Sequence, residues 1–577
     1  MIPERRENKK QQTKQTINHK MEQQTIVNSQ KIIKNAYINM HIADSESDKV
    51  IPELEEYING ETKFGILQIE IVPTTETLEA QDILFTVDIS GSMDDKCKDE
   101  KTKMQYATHT MKRIISVFEK SENKKISIEI TGFDDKIKKV KEWTRIDENN
   151  TNLIKENIEE LEARGSTDIE LGLKSAIESF QERTKEQEEH AKKTHIFLTD
   201  GIATKGESNP KELYNLMLNN TQNINNIYIG FGEDHNANLL QKLGENSKDS
   251  YYFVDEIENT GLVFGEIIHS ILYKALENIE IIVENGEIYD YLTNSWSNKL
   301  RISSLTSEAK KTYHVRTTGN TDAKATITAD NLINPDEIHT LPSLLNDENK
   351  IEPNDLTKYM LRQKTQELMY RAKEIINEYT ENKYKRVIPF LFEIEDETTT
   401  QTQEKQQQKQ QQKKQENKEK KTQIKNEINE FMLHFHRHMK MNGLEEDEFH
   451  VKLHEDLKVA YKSINSPMGA MYLGSRQYSQ GRETSYTPCR SLSGDDTIPM
   501  SPLLSRISTT STQMKIMTEL MEPTSSPRSP TRLHPRTHPT SPTRILPLQI
   551  PGSPCGKVRE FPHLRRSQNQ NHLGSGI

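Results

Sequence analysis

Between residues 82 and 275 the chain alternates short apolar runs with amphipathic stretches. The apolar runs lie at 83–88, 126–132, 194–199, 226–231 and 250–254, with a weaker one at 137–141. Between them, apolar residues recur at helical spacing near 102–119, 152–162, 169–183, 210–218, 236–243 and 257–274. Continuous apolar runs predict strands buried on both faces, and the three-to-four period predicts amphipathic helices. Strands interleaved with helices predict an α/β fold with a doubly wound, mostly parallel sheet. Residues 64–72 alternate instead like a half-buried strand. Short turn-bounded strands are expected at 279–283, 299–302, 312–315 and 325–328. If strand 64–72 pairs with these, the α/β unit is an insert in a β-sandwich-like domain.

The flanking segments change character. Residues 354–384 and 424–465 carry strong helical patterns, and 401–421, almost entirely Gln and Lys, is expected to be a polar spacer between two packed helices. From about 490 Ser, Thr and Pro dominate, and 521–577 holds eight Lys/Arg against two Glu. The expected layout is a disordered terminus 1–35; a strand region 36–80 joining the β-domain; the α/β domain 81–275; and the β-domain 276–340. A helical region 350–397, a Gln/Lys-rich linker 398–423, a second helical region 424–466 and a disordered basic tail 467–577 follow.

Composition agrees with such a layout. A chain of 577 residues exceeds a single core and predicts two to four domains. With 32% hydrophobic residues and a mean hydropathy of −0.83, a sizeable part is expected to stay unfolded. A net charge of −11 indicates no dominant nucleic-acid surface. Cys97, Cys489 and Cys555 form neither a disulfide framework nor a C-x-x-C pair. The first residues lack the apolar stretch of a signal peptide, and no window approaches 18 apolar residues. A cytoplasmic protein with no membrane span is expected.

The candidate chemistry sits at strand ends. Asp88-Ile89-Ser90-Gly91-Ser92 follows the run 83–87 and places a carboxylate and two hydroxyls at a strand's C-terminal tip, where open α/β sheets bind ligands. Gly165-Ser166-Thr167-Asp168 precedes a helix, and Thr199-Asp200-Gly201 ends another apolar run. Right-handed crossovers put the strand C-termini on one edge, so Asp88, Ser90, Ser92, Thr167 and Asp200 should converge. Two carboxylates and three hydroxyls suit a hard divalent ion, Mg²⁺ or Mn²⁺, bound octahedrally at ~2.1 Å with a position left for water or an outside ligand.

On these residues the chain resembles the von Willebrand factor A domain. D-x-S-G-S is Asp88, Ser90, Gly91 and Ser92; the second element is Gly165–Ile169 with Gly172-Leu173; the third is Leu198–Gly201. Ile130–Asp134 and Ile227–Gly232 fit as well, and the likeness covers about 190 residues, a third of the chain. The resemblance implies a metal-ion-dependent adhesion site. In it Ser90, Ser92 and Thr167 bind the ion directly, Asp88 and Asp200 bind it directly or through water, and a partner protein's acidic side chain completes the sphere. One departure is the charged insertion 94–101, either a gate on partner binding or a solvated loop. Residues 268–290 are similar to the β-domain that follows this fold in intracellular proteins of protists, plants and large viruses. Some of those relatives add a RING or Hint domain; three scattered cysteines exclude the first, and nothing after 465 looks folded enough for the second.

His434, His436, His438, His450 and His454 lie at helical spacing; zinc binding competes with the polar faces of amphipathic helices. Ser526, Ser529, Ser541 and Ser553 each precede Pro beside arginines, as proline-directed kinase sites or as part of a plain Pro-rich tail. No Walker loop or G-x-S-x-G elbow accompanies the carboxylates, so no enzyme is expected. The expected function is an intracellular protein-binding module or scaffold with a Mg²⁺-dependent site. The alternatives are an accessory subunit of a ubiquitin-ligase-like or other multiprotein complex and, behind it, a metal-dependent hydrolase.

Overall fold

The computed structural model describes residues 32–41, 51–58, 62–97, 100–186, 191–232, 235–246, 250–254, 260–317, 323–331, 339–344, 355–384, 400–466, 468–483 and 510–521. Its α/β unit contains a six-stranded sheet built from β3 (Gln81–Asp88), β4 (Ile126–Phe133), β5 (Ile137–Arg145), β6 (Lys192–Thr199), β7 (Ile224–Phe231) and β8 (Ser250–Val254), in the order β5-β4-β3-β6-β7-β8. Every pair is parallel except the β4–β5 hairpin. All eight positions of β3 and of β4 are buried, with Ile83, Leu84, Phe85 and Val87 of β3 and Ile126, Ile128, Ile130 and Phe133 of β4 supplying the apolar signal. β5 is an edge strand with no fully buried position, which accounts for its weaker signal.

Helices cover both faces. On one side α1 (Lys103–Lys120), α2 (Thr151–Glu159) and α6 (Thr260–Leu272) enclose Ile83, Phe85, Ile128, Ile196 and Ile227. On the other α3 (Ile169–Glu186), α4 (Pro210–Asn220) and α5 (Ala237–Leu243) enclose Phe133, Phe197 and Tyr228. Thr102 starts α1 with a capping box: Gln105 N donates to its hydroxyl at 3.2 Å, and the Gln105 side chain accepts from Thr102 N at 3.0 Å.

Two antiparallel sheets make the adjoining β-sandwich. β1 (Ile33–Met40), β2 (Phe64–Ile71), β10 (Gly286–Asp290), β11 (Ser295–Ser297) and β13 (Lys310–Thr317) run in the order β1-β2-β13-β10-β11. β9 (Lys274–Glu284), β12 (Lys299–Thr306), β14 (Lys324–Asn331) and β15 (His339–Leu344) run in the order β12-β9-β14-β15. Leu67 of β2 lies opposite Tyr313 of β13 on one side and Ile38 of β1 on the other. Ile38, Leu67 and Ile69 from the first sheet share one apolar core with Ile279, Ile281, Val283 and Ile327 from the second. The chain therefore leaves the sandwich after β2, builds the α/β unit, and re-enters at β9.

Three expectations about the flanks are corrected. β1 begins at Ile33, inside the segment 1–35 expected to be disordered. The segment 398–423, expected as a linker, is helical from Thr400, because α8 runs unbroken over Thr400–Met441. Gln, Lys and Glu are strong helix formers, and the stretch holds no Gly or Pro. The i, i+4 pair Lys420–Glu416 at 3.2 Å adds support near its end. Further on, α8 packs Ile424, Ile428, Phe431 and Phe435 against α7 (Thr357–Tyr384) and α9 (Glu448–Ser463) through Leu368, Met369 and Leu457.

The tail expected to be disordered from 467 instead contributes α10 (Gly469–Arg482) and α11 (Ser511–Met521). α10 is buried at eleven of its positions, among them Arg476, Gln477 and Gln480. Its glycines and polar residues, which read as loop, are held by buried polar contacts: Arg476 Nη1 meets Asp456 Oδ1 at 3.0 Å, and Arg482 Nε meets Glu266 Oε1 at 3.0 Å. Gly481 lies so close to the β-sandwich that a Cβ there would sit 2.2 Å from Tyr291 Cζ. A helical Gly→Ala change normally stabilises by up to ~1 kcal/mol. Gly481→Ala is expected instead to lose about 1–3 kcal/mol by overpacking, read as a lower urea midpoint. A raised midpoint would mean that the helix is not pressed on Tyr291. α11 sets Met517 and Met521 on Gly265 and Gly261 of α6, and Ile516 and Leu520 join the α/β core. The Ser-Pro sites at 526, 529, 541 and 553 lie outside the described residues, and no described helix is long and apolar enough to cross a membrane.

Candidate metal centre

The sheet order reverses direction between β3 and β6: the connection from β3 leads to β4 on one side, while β7 and β8 extend the other. In an open α/β sheet such a switch point opens a crevice at the strand C-termini. Asp88 is the last residue of β3, and Asp200 directly follows β6, so both carboxylates face this crevice. Both are fully buried.

Hydrogen bonds aim each carboxylate. Asp88 Oδ1 accepts from Ser90 N at 2.8 Å, and its Oδ2 accepts from Thr199 Oγ1 at 2.5 Å. Burial pushes the Asp88 carboxyl up to about 6, while the Thr199 and Ser90 hydrogen bonds act in the opposite direction. Ser92 Oγ donates to Asp200 Oδ1 at 2.8 Å and lies 3.1 Å from Ser90 Oγ. The two serines stand on a single 3-10 turn, Gly91–Asp94, and its start.

Thr167 is brought in by its loop. Gly91 N donates to Gly165 O at 3.2 Å, with Gly165 at φ +69°, a left-handed conformation that glycine adopts without strain. Thr167 O accepts from Thr204 N at 2.9 Å and Lys205 N at 3.1 Å, and Thr167 N donates to Thr204 Oγ1 at 3.0 Å. A Cβ on Gly201 would lie 3.3 Å from Thr167 Oγ1 and 3.6 Å from Ser92 Oγ, so these hydroxyls flank the same glycine. The five residues singled out from the sequence thus gather around one crevice although they span 88 to 200.

Two participants were not foreseen. Thr199 fixes Asp88, and its signal was its place beside Asp200. Lys103, the first residue of α1, reaches across the crevice: its Nζ lies 2.7 Å from Asp200 Oδ2 and 3.7 Å from Asp95 Oδ2. Its aliphatic stem runs past Gly232, where a Cβ would come within 3.3 Å of Lys103 Cε. Within the insertion 94–101, Lys96 bridges to Thr102, Cys97 N donates to Lys101 O at 2.8 Å, and Asp94, Asp95 and Lys96 are exposed.

The donor set fits a hard divalent cation: oxygens only, with two buried carboxylates behind three hydroxyls. Among the described residues no group of three or more His, Cys, Asp and Glu side chains could hold a metal. The candidate donors in the crevice are the carboxylates of Asp88 and Asp200 and the hydroxyls of Ser90, Ser92 and Thr167. The histidines of α8 and α9 pair instead as rings, His436 on His454 at 5.5 Å and His438 by His450 at 6.4 Å.

Residues 82–266 match the model of the von Willebrand factor type A domain. Similar solved structures include a von Willebrand factor type A protein from Catenulispora acidiphila, 15% identical over 59% of this chain and 80% of that one, with a TM-score of 0.42. The ArnB paralog VWA2 from Sulfolobus acidocaldarius is 13% identical over 78% of this chain and 99% of that one, with a TM-score of 0.43. Proximal thread matrix protein 1 from the mussel byssus, with a zinc-occupied MIDAS motif, is 19% identical over 37% of this chain and 51% of that one, with a TM-score of 0.29. No curated protein matches the chain. The α/β unit is a von Willebrand factor type A domain, joined to antiparallel sheets and helices.

Proposed function

We propose that the chain binds other proteins through a Mg²⁺- or Mn²⁺-dependent adhesion site in its von Willebrand factor type A domain. Domains of this family commonly serve as interaction modules, are generally non-enzymatic and bind divalent metals. The observation that carries the reading is the gathering of Ser90, Ser92 and Thr167 hydroxyls in front of the buried Asp88 and Asp200 carboxylates. The hydroxyls would hold the ion, and the carboxylates would orient them and balance its charge. When bound, the ion supplies a Lewis-acidic position for an acidic side chain of the partner.

The reading extends to an intracellular, cytoplasmic protein whose sandwich corresponds to the β-domain of intracellular relatives. Supporting this are the three cysteines, Cys97, Cys489 and Cys555, which lie far apart along the chain.

A pull-down with wild type, Asp88→Ala and Asp200→Ala, each with and without EDTA, tests the mechanism. Partners retained by the wild type are expected to be lost, by ten-fold or more (~1.4 kcal/mol or above), on either substitution and on chelation. Binding indifferent to EDTA and to both substitutions would sink the metal-bridged reading.

A further inference from the structure

Asp200 is the pivot of the crevice, and both of its oxygens are engaged. Oδ1 accepts from Ser92 Oγ at 2.8 Å, and Oδ2 accepts from Lys103 Nζ at 2.7 Å. The carboxylate is fully buried, and the lysine side chain is 10% exposed. Asp88, equally buried, adds a second carboxylate to the same cup. Buried carboxylates without a compensating cation are strongly destabilising, so this chain carries a positive charge of its own at the place where an ion would supply one. From the other side Nζ lies 3.7 Å from Oδ2 of Asp95, whose side chain is 65% exposed. Asp95 closes the turn that bears Ser92, and its carbonyl accepts from Lys103 N at 3.1 Å.

We propose that Lys103 is an exchangeable internal counter-ion. It neutralises Asp200 while the site is without metal, and it hands over to Asp95 when a divalent cation enters. The idea rests on the metal-site reading above and adds to it a specific competitor. A dication and an ammonium repel each other inside a low-dielectric cup, so loading the site requires the lysine to yield. Asp95 is already close enough to receive it, so the displaced ammonium stays paired. Because Asp95 closes the turn that bears Ser92, the exchange also ties metal occupancy to the surface a partner would meet. Lys103 thereby lowers the apparent metal affinity and keeps the empty site folded.

The test is calorimetric titration of the full chain with MnCl₂, alongside thermal unfolding in EDTA, for wild type, Lys103→Met and Asp95→Asn. Lys103→Met is expected to bind Mn²⁺ about ten-fold more tightly and to melt lower than wild type in EDTA. Asp95→Asn is expected to bind about three-fold more weakly, with unchanged melting in EDTA. Tight binding confined to Lys103→Met also supports the exchange. Wild-type binding that neither substitution alters would overturn the exchange and leave the metal site standing. No binding by any of the three would overturn both. Should Lys103→Met not fold in EDTA, the exposed Asp95 substitution decides by itself: an unchanged affinity there overturns the exchange.

Discussion

Acidification from about pH 6.5 towards pH 4 is expected to unfold the protein, driven by histidines that the fold keeps buried and neutral. His195, between Thr86 Oγ1 at 3.0 Å and Asn226 Oδ1 at 3.3 Å, is lowered to about 4, chiefly by burial. His269 is lowered to about 4 by burial, against the opposing pull of Glu308. His314 is lowered to about 3 by burial and by the charge of Arg362, while its hydrogen bond to Gln363 at 2.7 Å opposes. A histidine whose folded value lies below its unfolded value of ~6.5 stabilises fully above that value. As the pH falls, the unfolded chain takes up protons that the folded one refuses, so stability drops until the folded value is reached. Each such histidine contributes a slope of up to ~1.4 kcal/mol per pH unit, and a typical domain has only about 5–15 kcal/mol in all.

Buried carboxyls such as Asp88 and Glu367, raised by burial, work in the other direction and moderate the total. The decisive measurement is therefore a difference. Urea unfolding between pH 7 and 5 should give His314→Gln a shallower pH slope than wild type, by up to ~1.4 kcal/mol per pH unit. Parallel slopes for the two proteins would remove His314 from the account.

The second large effect is expected at the joint between α9 and α10. Asp456 is fully buried, meets Arg476 at 3.0 Å and is also hydrogen-bonded by Gln480. Burial pushes its carboxyl upward, and the arginine opposes that shift. Replacing Asp456 by Asn leaves a buried guanidinium without its counter-charge, at a cost of about 3–5 kcal/mol. The double replacement Asp456→Leu with Arg476→Leu removes both charges and is expected to recover most of that loss, since buried pairs and apolar substitutes are often close in energy. Denaturant midpoints for the three proteins check this. A double variant as unstable as the single one would show that α10 depends on the charges for more than their mutual neutralisation.

The contrast between these two regions explains what was legible beforehand. β3 and β6 announce themselves because burial on both faces favours apolar clusters such as Ile83–Phe85 and Ile196–Leu198, and the placement of the residues at their tips follows from chain direction. The convergence of Asp88, Ser90, Ser92, Thr167 and Asp200 on one crevice was readable for that reason. Lys103 was not, because nothing in a helix's first residue says that its side chain will cross to a strand end. α10 hid for a different reason: it is stabilised by Arg476, Gln477 and Gln480 making buried polar contacts, so no apolar stripe marks it. The Gln/Lys-rich part of α8 was read as a linker because it shows no apolar stripe, although Gln, Lys and Glu are themselves strong helix formers.

The exit from the von Willebrand factor type A domain into the sandwich has almost no spare chain. α6 ends at Leu272 and β9 begins at Lys274, a single residue later, and Thr77 N on the incoming strand side bonds Leu272 O at 2.8 Å. Ser307 N of the sandwich holds the intervening Tyr273 O at 2.8 Å. β9 is an inner strand of its sheet, flanked by β12 and β14. Such a coupling has no slack: sliding of α6 along the α/β sheet would arrive in the sandwich as traction on an inner strand, without a hinge to absorb it.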